Sequence, residues 1–104
     1  MHESLRDPRR KPTHPGAVLR EDVLPELGIT QAELARRLGV SRLTVSELLR
    51  EKRALSPLMA ARLARLLGTS PESWLAMQSA LDLWLARKDR GLARIVPVER
   101  ARID

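Results

Sequence analysis

Apolar residues recur at three- and four-residue spacing through the middle of this chain, and Gly, Pro and Ser interrupt that rhythm at intervals. The pattern predicts five amphipathic helices. In the first, Val18, Leu19, Val23, Leu24 and Leu27 recur between Pro15, suited to an early helical position, and Gly28, suited to a stop. Pro25 predicts a kink or an early end there, because its ring meets the carbonyl four residues back. The second helix is about two turns long, with Thr30 and Glu33 spaced as a capping box, a narrow stripe of Leu34, Ala35 and Leu38, and Gly39 as its stop. The third starts at Ser41 and turns Val45, Leu48 and Leu49 inward; Leu43, Ser46, Glu47 and Arg50 point outward, flanked by Arg42 and Thr44. Two further helices open with the same signal, Ser56–Pro57 and Ser70–Pro71. Met59, Leu63, Leu66 and Leu67 form the core face of the fourth, which stops at Gly68. Trp74, Met77, Gln78, Leu81, Trp84 and Leu85 cluster on one side of the fifth, which runs to about Arg87.

The ends differ. Residues 1–13, with Pro8, Pro12 and the run Arg9, Arg10, Lys11, read as a flexible basic arm. Residues 88–104 read as a tail in which "LARIVPV" allows an extended course, either a short strand confined to an edge by Pro97 or a segment ordered by a partner. The expected organisation is therefore an arm (1–13), an all-α domain of five helices (14–87) and a tail (88–104).

Composition narrows the function. The 104 residues contain no Cys, so neither disulfides nor thiolate metal sites are available. His2 and His14 have no metal-ligating neighbours, no Gly-rich phosphate loop is present, and the carboxylates are scattered over polar helix faces, so no catalytic site, metal or cofactor is expected. No apolar run reaches the length of a membrane span and no signal-peptide core precedes the first helix, which points to a cytoplasmic protein. The net charge is +6, which favours a polyanionic partner. That surplus is spread evenly over arm, domain and tail. The useful cluster is Arg36, Arg37, Arg42, Arg50, Lys52 and Arg53.

These cations surround a short capped helix, a Gly turn and a second short helix, spanning about residues 31–50. Counting from Gln31, a helix-turn-helix needs a small residue at the fifth position, where the helices cross, and Ala35 stands there. It needs a turn-tolerant ninth residue, Gly39, and a buried, often β-branched fifteenth, Val45. In such a unit the second helix enters the major groove with its N-terminal part nearest the bases. Arg42 is then the candidate for bidentate contact with guanine, Leu43 for a thymine methyl, and Thr44 and Ser46 for base edges or phosphate. Glu47 can accept from cytosine or pair with Arg50 three residues on. Arg36, Arg37, Arg50, Lys52 and Arg53 are candidates for phosphate contact. One such helix binds weakly, so a homodimer on a palindromic operator is expected. The fifth helix offers a second apolar face of Ala76, Ala80 and Leu83, with Trp84 at its edge, as the dimer surface.

The segments "HPGAVLRE", "LGITQAELARRLGVSRLTVSELL" and "KRALSPLMAARLARLLGTSPESWLAMQSALDL" resemble the HigA-type antitoxins of the XRE helix-turn-helix superfamily, with VapI-like features, over residues 14–86. The resemblance implies a dimeric DNA-binding antitoxin of a type II toxin–antitoxin system. Such a protein represses its own operon and neutralises a HigB-like toxin, an mRNA nuclease. Gln31 resembles the family's phosphate-clamping residue. Two departures stand out: Ala17 replaces a common acidic residue after "HPG", and Arg50–Glu51 replaces a common Asn-Gly before Lys-Arg, so Glu51 either lets the helix run on or takes a strained cap. Two other readings are a stand-alone transcription regulator with no cognate toxin and an interaction module that chiefly masks a toxin.

Overall fold

The first helix starts on a three-residue device. His14 Nδ1 accepts the Gly16 amide at 2.8 Å, and Pro15 occupies the first turn, where a missing amide proton does no harm. The computed structural model describes residues 9–99; the first eight residues of the expected arm and the last five of the tail lie outside them. Helix α1 continues as α-helical Pro15–Val18, π-helical Leu19–Val23 and α-helical Leu24–Leu27, ending at Gly28 with φ 68°. Pro25 therefore does not end the helix. The Leu24 amide bonds to the Leu19 carbonyl, five residues back, and this wider turn makes room for the proline ring.

Four more helices follow: α2 (Gln31–Leu38), α3 (Arg42–Leu49), α4 (Pro57–Leu67) and α5 (Pro71–Ala86). Each is capped by the hydroxyl expected at its start, with Thr30, Ser41, Ser56 and Ser70 accepting amides at 3.0–3.1 Å. The capping box of α2 is only half formed, because the Glu33 carboxylate turns to Arg36 and Arg37 instead of the Thr30 amide. A 3₁₀ turn, Arg90–Arg94, follows α5, and Ile95 has extended backbone (φ −84°, ψ 119°). No strand forms among the described residues, so the tail takes an extended course there without sheet pairing.

The core is built from leucines and one tryptophan: Leu19, Leu34, Leu38, Leu48, Leu49, Leu63 and Trp74 close around Ala35, Val45 and Ala60. Small residues let the helices approach where Phe and Tyr are lacking. Leu66 and Leu67 only pack against the edge of this cluster, and Leu85 is half exposed, so the apolar face of α5 is narrower than its periodicity implied. Gln78 is buried too, with His14 one of two buried polar residues among the described residues. Its Oε1 accepts the Leu55 amide at 2.8 Å and its Nε2 donates to Asp82 at 2.8 Å, which fastens the loop after α3 to α5.

The closest approach joins α1 to the end of α3. A Cβ added at Gly16 would stand 1.8 Å from the Leu48 carbonyl oxygen, a backbone atom that cannot swing away. Gly16→Ala should therefore destabilise the fold by about 2–3 kcal/mol, the upper range for overpacking, measured by urea denaturation. A loss under about 0.5 kcal/mol would show that the contact is not restrictive.

Helix α3 does stop before Glu51, and that residue takes the strained cap. Its φ is 62°, while the Glu51 amide bonds to the Leu48 carbonyl (3.0 Å) and the Lys52 amide to the Glu47 carbonyl (2.8 Å), the two bonds of a Schellman end. Replacing Glu51 by Gly should remove the left-handed penalty and raise stability by about 1 kcal/mol, read from the same denaturation midpoint. A destabilised Glu51→Gly variant would mean that its side chain, not its backbone, decides the matter.

Candidate nucleic-acid interface

Helices α2 and α3 meet through a turn with a Schellman end of its own: Gly39 has φ 71°, its amide bonds to the Arg36 carbonyl at 3.2 Å, and the Val40 amide bonds to the Ala35 carbonyl at 3.1 Å. Ala35 and Val45 are both 1% exposed, packed between the two helices and α4. The inward side of α3 is thus filled by Val45, Leu48 and Leu49, and the opposite side faces solvent.

That outward side carries the candidate base-reading residues. Arg42 is exposed and Leu43 is 62% exposed; Thr44, Ser46 and Glu47 are half-buried. The Thr44 hydroxyl lies 2.8 Å from that of Ser41, so it is held at the start of the helix. Glu47 does not pair with Arg50, the partner expected within the chain. Its Oε1 receives Arg53 Nε at 3.1 Å and Nη2 at 2.7 Å, which leaves Arg50 outside the pair. Arg42, Arg50 and Lys52 form no ion pair among the described residues. Their charge is open to an incoming anion.

On α2, Gln31 is exposed at the first turn, where backbone amides still lack helical partners. Arg36 and Arg37 both reach back to Glu33, at 3.1 Å (Arg36 Nε to Oε1) and 2.6 Å (Arg37 Nε to Oε2). These hydrogen bonds, Arg36 first and Arg37 second, lower the Glu33 carboxyl from its ordinary value to about 2.

Two arginines that sequence reasoning passed over hold this unit in place. Arg62 of α4 donates to the Leu38 carbonyl at 2.7 Å, at the end of α2. Arg20 of α1 donates to the Leu49 carbonyl at 2.6 Å, at the end of α3, and also meets Glu51 at 3.2 Å and Glu21 at 2.7 Å. Each brings positive charge to a helix C-terminus, where unpaired carbonyls favour it. Nothing local marks either residue, since the bonds span 24 and 29 positions.

The expected dimer surface lies on the far side of α5. Ala76, Ala80 and Leu83 are exposed there, and Trp84 is half-buried with Lys88 Nζ 4.1 Å from its ring centre. Among the described residues no cluster of three or more His, Asp or Glu side chains is placed to hold a metal, and no helix is long and apolar enough to cross a membrane.

A short capped pair of helices with one solvent-facing cationic face, set in an all-α domain, defines a helix-turn-helix protein. Residues 19–74 match the family described as Helix-turn-helix. The chain is 40% identical over 83 residues to virulence-associated protein I of Dichelobacter nodosus, covering 80% of this chain and 77% of that one. It is 41% identical over 83 residues to antitoxin HigA-1 of Vibrio cholerae, covering 80% and 78%. Among solved structures, the Pseudomonas aeruginosa antitoxin HigA with higBA promoter superposes with a TM-score of 0.78 at 41% identity, covering 85% of this chain and 99% of that one. The chain belongs to the helix-turn-helix family of HigA-type, VapI-like proteins, a family of regulators and not of enzymes.

The lowered Glu33 value means that its pairing is complete above the ordinary carboxylate range and is lost only as pH falls toward about 2. In a carboxyl NMR titration Glu33 should have its midpoint near 2, and Arg36→Gln with Arg37→Gln should return it toward 4.5. A wild-type midpoint near 4.5 would show that the two arginines are not held on this side chain in solution.

Proposed function

We propose that this chain is the DNA-binding antitoxin of a type II toxin–antitoxin pair. Acting in the cytoplasm as a homodimer, it binds a palindromic operator before its own operon and represses it. It also neutralises a HigB-like toxin that cuts mRNA. The observation that carries the reading is the exposed face of α3, where Arg42 has no ion-pair partner among the described residues and projects from a helix clamped at its other end. Relatives named as antitoxins, one of them solved with its promoter, support it.

In this reading the unit 14–87 does the binding. Arg42 reads guanine from the major groove, Leu43 meets a thymine methyl, and Thr44 and Ser46 bond base edges or phosphate. Glu47 accepts from cytosine only by giving up Arg53. Gln31, Arg50 and Lys52 contact phosphates directly. Arg36, Arg37 and Arg53 do so by exchanging a carboxylate for a phosphate, a small sacrifice because solvent screens exposed pairs. Ala76, Ala80, Leu83 and Trp84 form the dimer contact.

Gel shifts with the DNA upstream of the gene, at rising salt, test the proposal. The wild-type chain should give a sequence-specific band. Arg42→Ala should lose about 1–3 kcal/mol of discrimination against scrambled DNA. Arg37→Ala should instead weaken every sequence alike and lower the salt slope by about 1. Equal wild-type affinity for scrambled DNA would remove the repressor assignment.

A further inference from the structure

We infer that a groove between the second half of α1 and the α4–α5 junction is the docking site for a cationic segment of the nuclease partner, seated by an apolar side chain. The inference rests on the antitoxin reading above and adds the surface to it. The groove begins as a cleft of about 410 Å³ lined chiefly by Val18, Val23, Leu27, Leu67 and Met77, with Glu26 on its edge. A second cleft of about 280 Å³ shares Leu27 and Leu67 and continues toward Ile29, Leu66 and Arg37, whose guanidinium is turned to Glu33. Leu27, a leucine at the mouth of both, is 49% exposed. An apolar slot with a few polar groups on its rim is the shape that receives an anchoring side chain.

The charge around it selects the occupant. A protein that cuts RNA must hold a polyanion, so its own surface is cationic. A chain of net charge +6 repels such a partner over most of its surface. Four of its carboxylates are committed elsewhere: Glu33 to Arg36 and Arg37, Glu47 to Arg53, Glu21 and Glu51 to Arg20. Asp22 and Glu26, both exposed on α1, make no ion pair among the described residues. Glu72, also exposed, adjoins Ser73 on the other edge of the cleft. Unpaired negative charge therefore stands at the first cleft, with Glu26 on its edge and Asp22 one turn earlier on α1, the reverse of the cationic face of α3.

Position favours simultaneous binding. The recognition helix docks at the Gly16 end of α1, and Leu27 lies about 16 Å further along the rod at 1.5 Å per residue. A partner in the groove leaves the outward face of α3 free for DNA.

The test uses the full chain and the purified product of the small open reading frame adjacent to its gene, followed by calorimetric titration and by growth rescue on co-expression. Wild type should bind with an affinity that falls as salt rises. Asp22→Lys with Glu26→Lys should bind about 100-fold more weakly and fail to rescue growth, since like charges across an interface are strongly unfavourable. Both positions are exposed, so the melting temperature, dimer mass and operator band should be retained; Asp89→Lys serves as a charge control without effect on toxin binding. Undiminished binding by the double variant overturns the groove while leaving the antitoxin reading intact. Loss of the dimer in that variant also overturns it, by giving the surface to a second copy. If the wild-type chain neither binds nor rescues, the groove and the antitoxin reading fall together.

Discussion

An eight-residue helix cannot hold itself in shape in water, and the whole DNA-reading proposal rests on one, α3. What steadies it is contact with its backbone at the C-terminal end, away from Arg42, Leu43 and Thr44, the residues proposed to face DNA. The Leu48 carbonyl lies against Gly16, the Leu49 carbonyl receives Arg20, and the Schellman bonds at Glu51 close the last turn. Arg62 does the same for α2 at Leu38. Because these contacts grip main chain, they place no demand on the outward side chains of α3, which under the proposal can then vary with the sequence that is read. A scaffold of this kind separates the requirement for a fixed helix from the requirement for particular bases.

The arginines divide by role in a way that net charge conceals. Arg20 and Arg62 serve inside the fold as helix caps; Arg36, Arg37 and Arg53 are balanced on carboxylates; Arg42 and Arg50, with Lys52, stand open. Only the last group adds a bare field at the proposed DNA face. The paired ones matter differently: their carboxylates hold them near their positions in the absence of DNA, which reduces the ordering needed when a phosphate takes over. Under the proposal Glu33 and Glu47 thus serve the interface although they carry the sign of the ligand.

The helix boundaries, which depend on neighbours in sequence, were legible in advance, although the same short range also hid the His14 cap and the turn of Glu33 to Arg36 and Arg37. Hydroxyl caps, prolines in first turns and glycines after helix ends placed all five helices, because those signals act within three or four residues. The helix-turn-helix spacing, Ala35 to Gly39 to Val45, is local in the same sense. Much of what was not legible depends on partners brought together by folding. The choice of Arg53 over Arg50 by Glu47 and the two arginine caps require knowing where the chain goes beyond the helix end, while the π turn that admits Pro25 is local but carries no sequence signal of its own. The strain at Glu51 lay between: the missing glycine was readable, but whether α3 would run on was settled by the Leu48 and Glu47 carbonyls.

Length argues for the dimer independently of any relative. Eight helical residues extend about 12 Å, and a base pair occupies 3.4 Å along the duplex, so one recognition helix can touch only about four base pairs. So short a site recurs too often to mark one operon, and two copies at fixed spacing square the selectivity without any new contact chemistry. The fold leaves a suitable surface for the second copy. The outward face of α5 exposes Ala76, Ala80 and Leu83, the tail beyond it exposes Leu92, Ile95, Val96 and Val98, and Gln78 ties the same helix to the loop that follows α3. Joining two chains through α5 would therefore fix the spacing of the two recognition helices through a buried hydrogen bond, and not through a flexible linker.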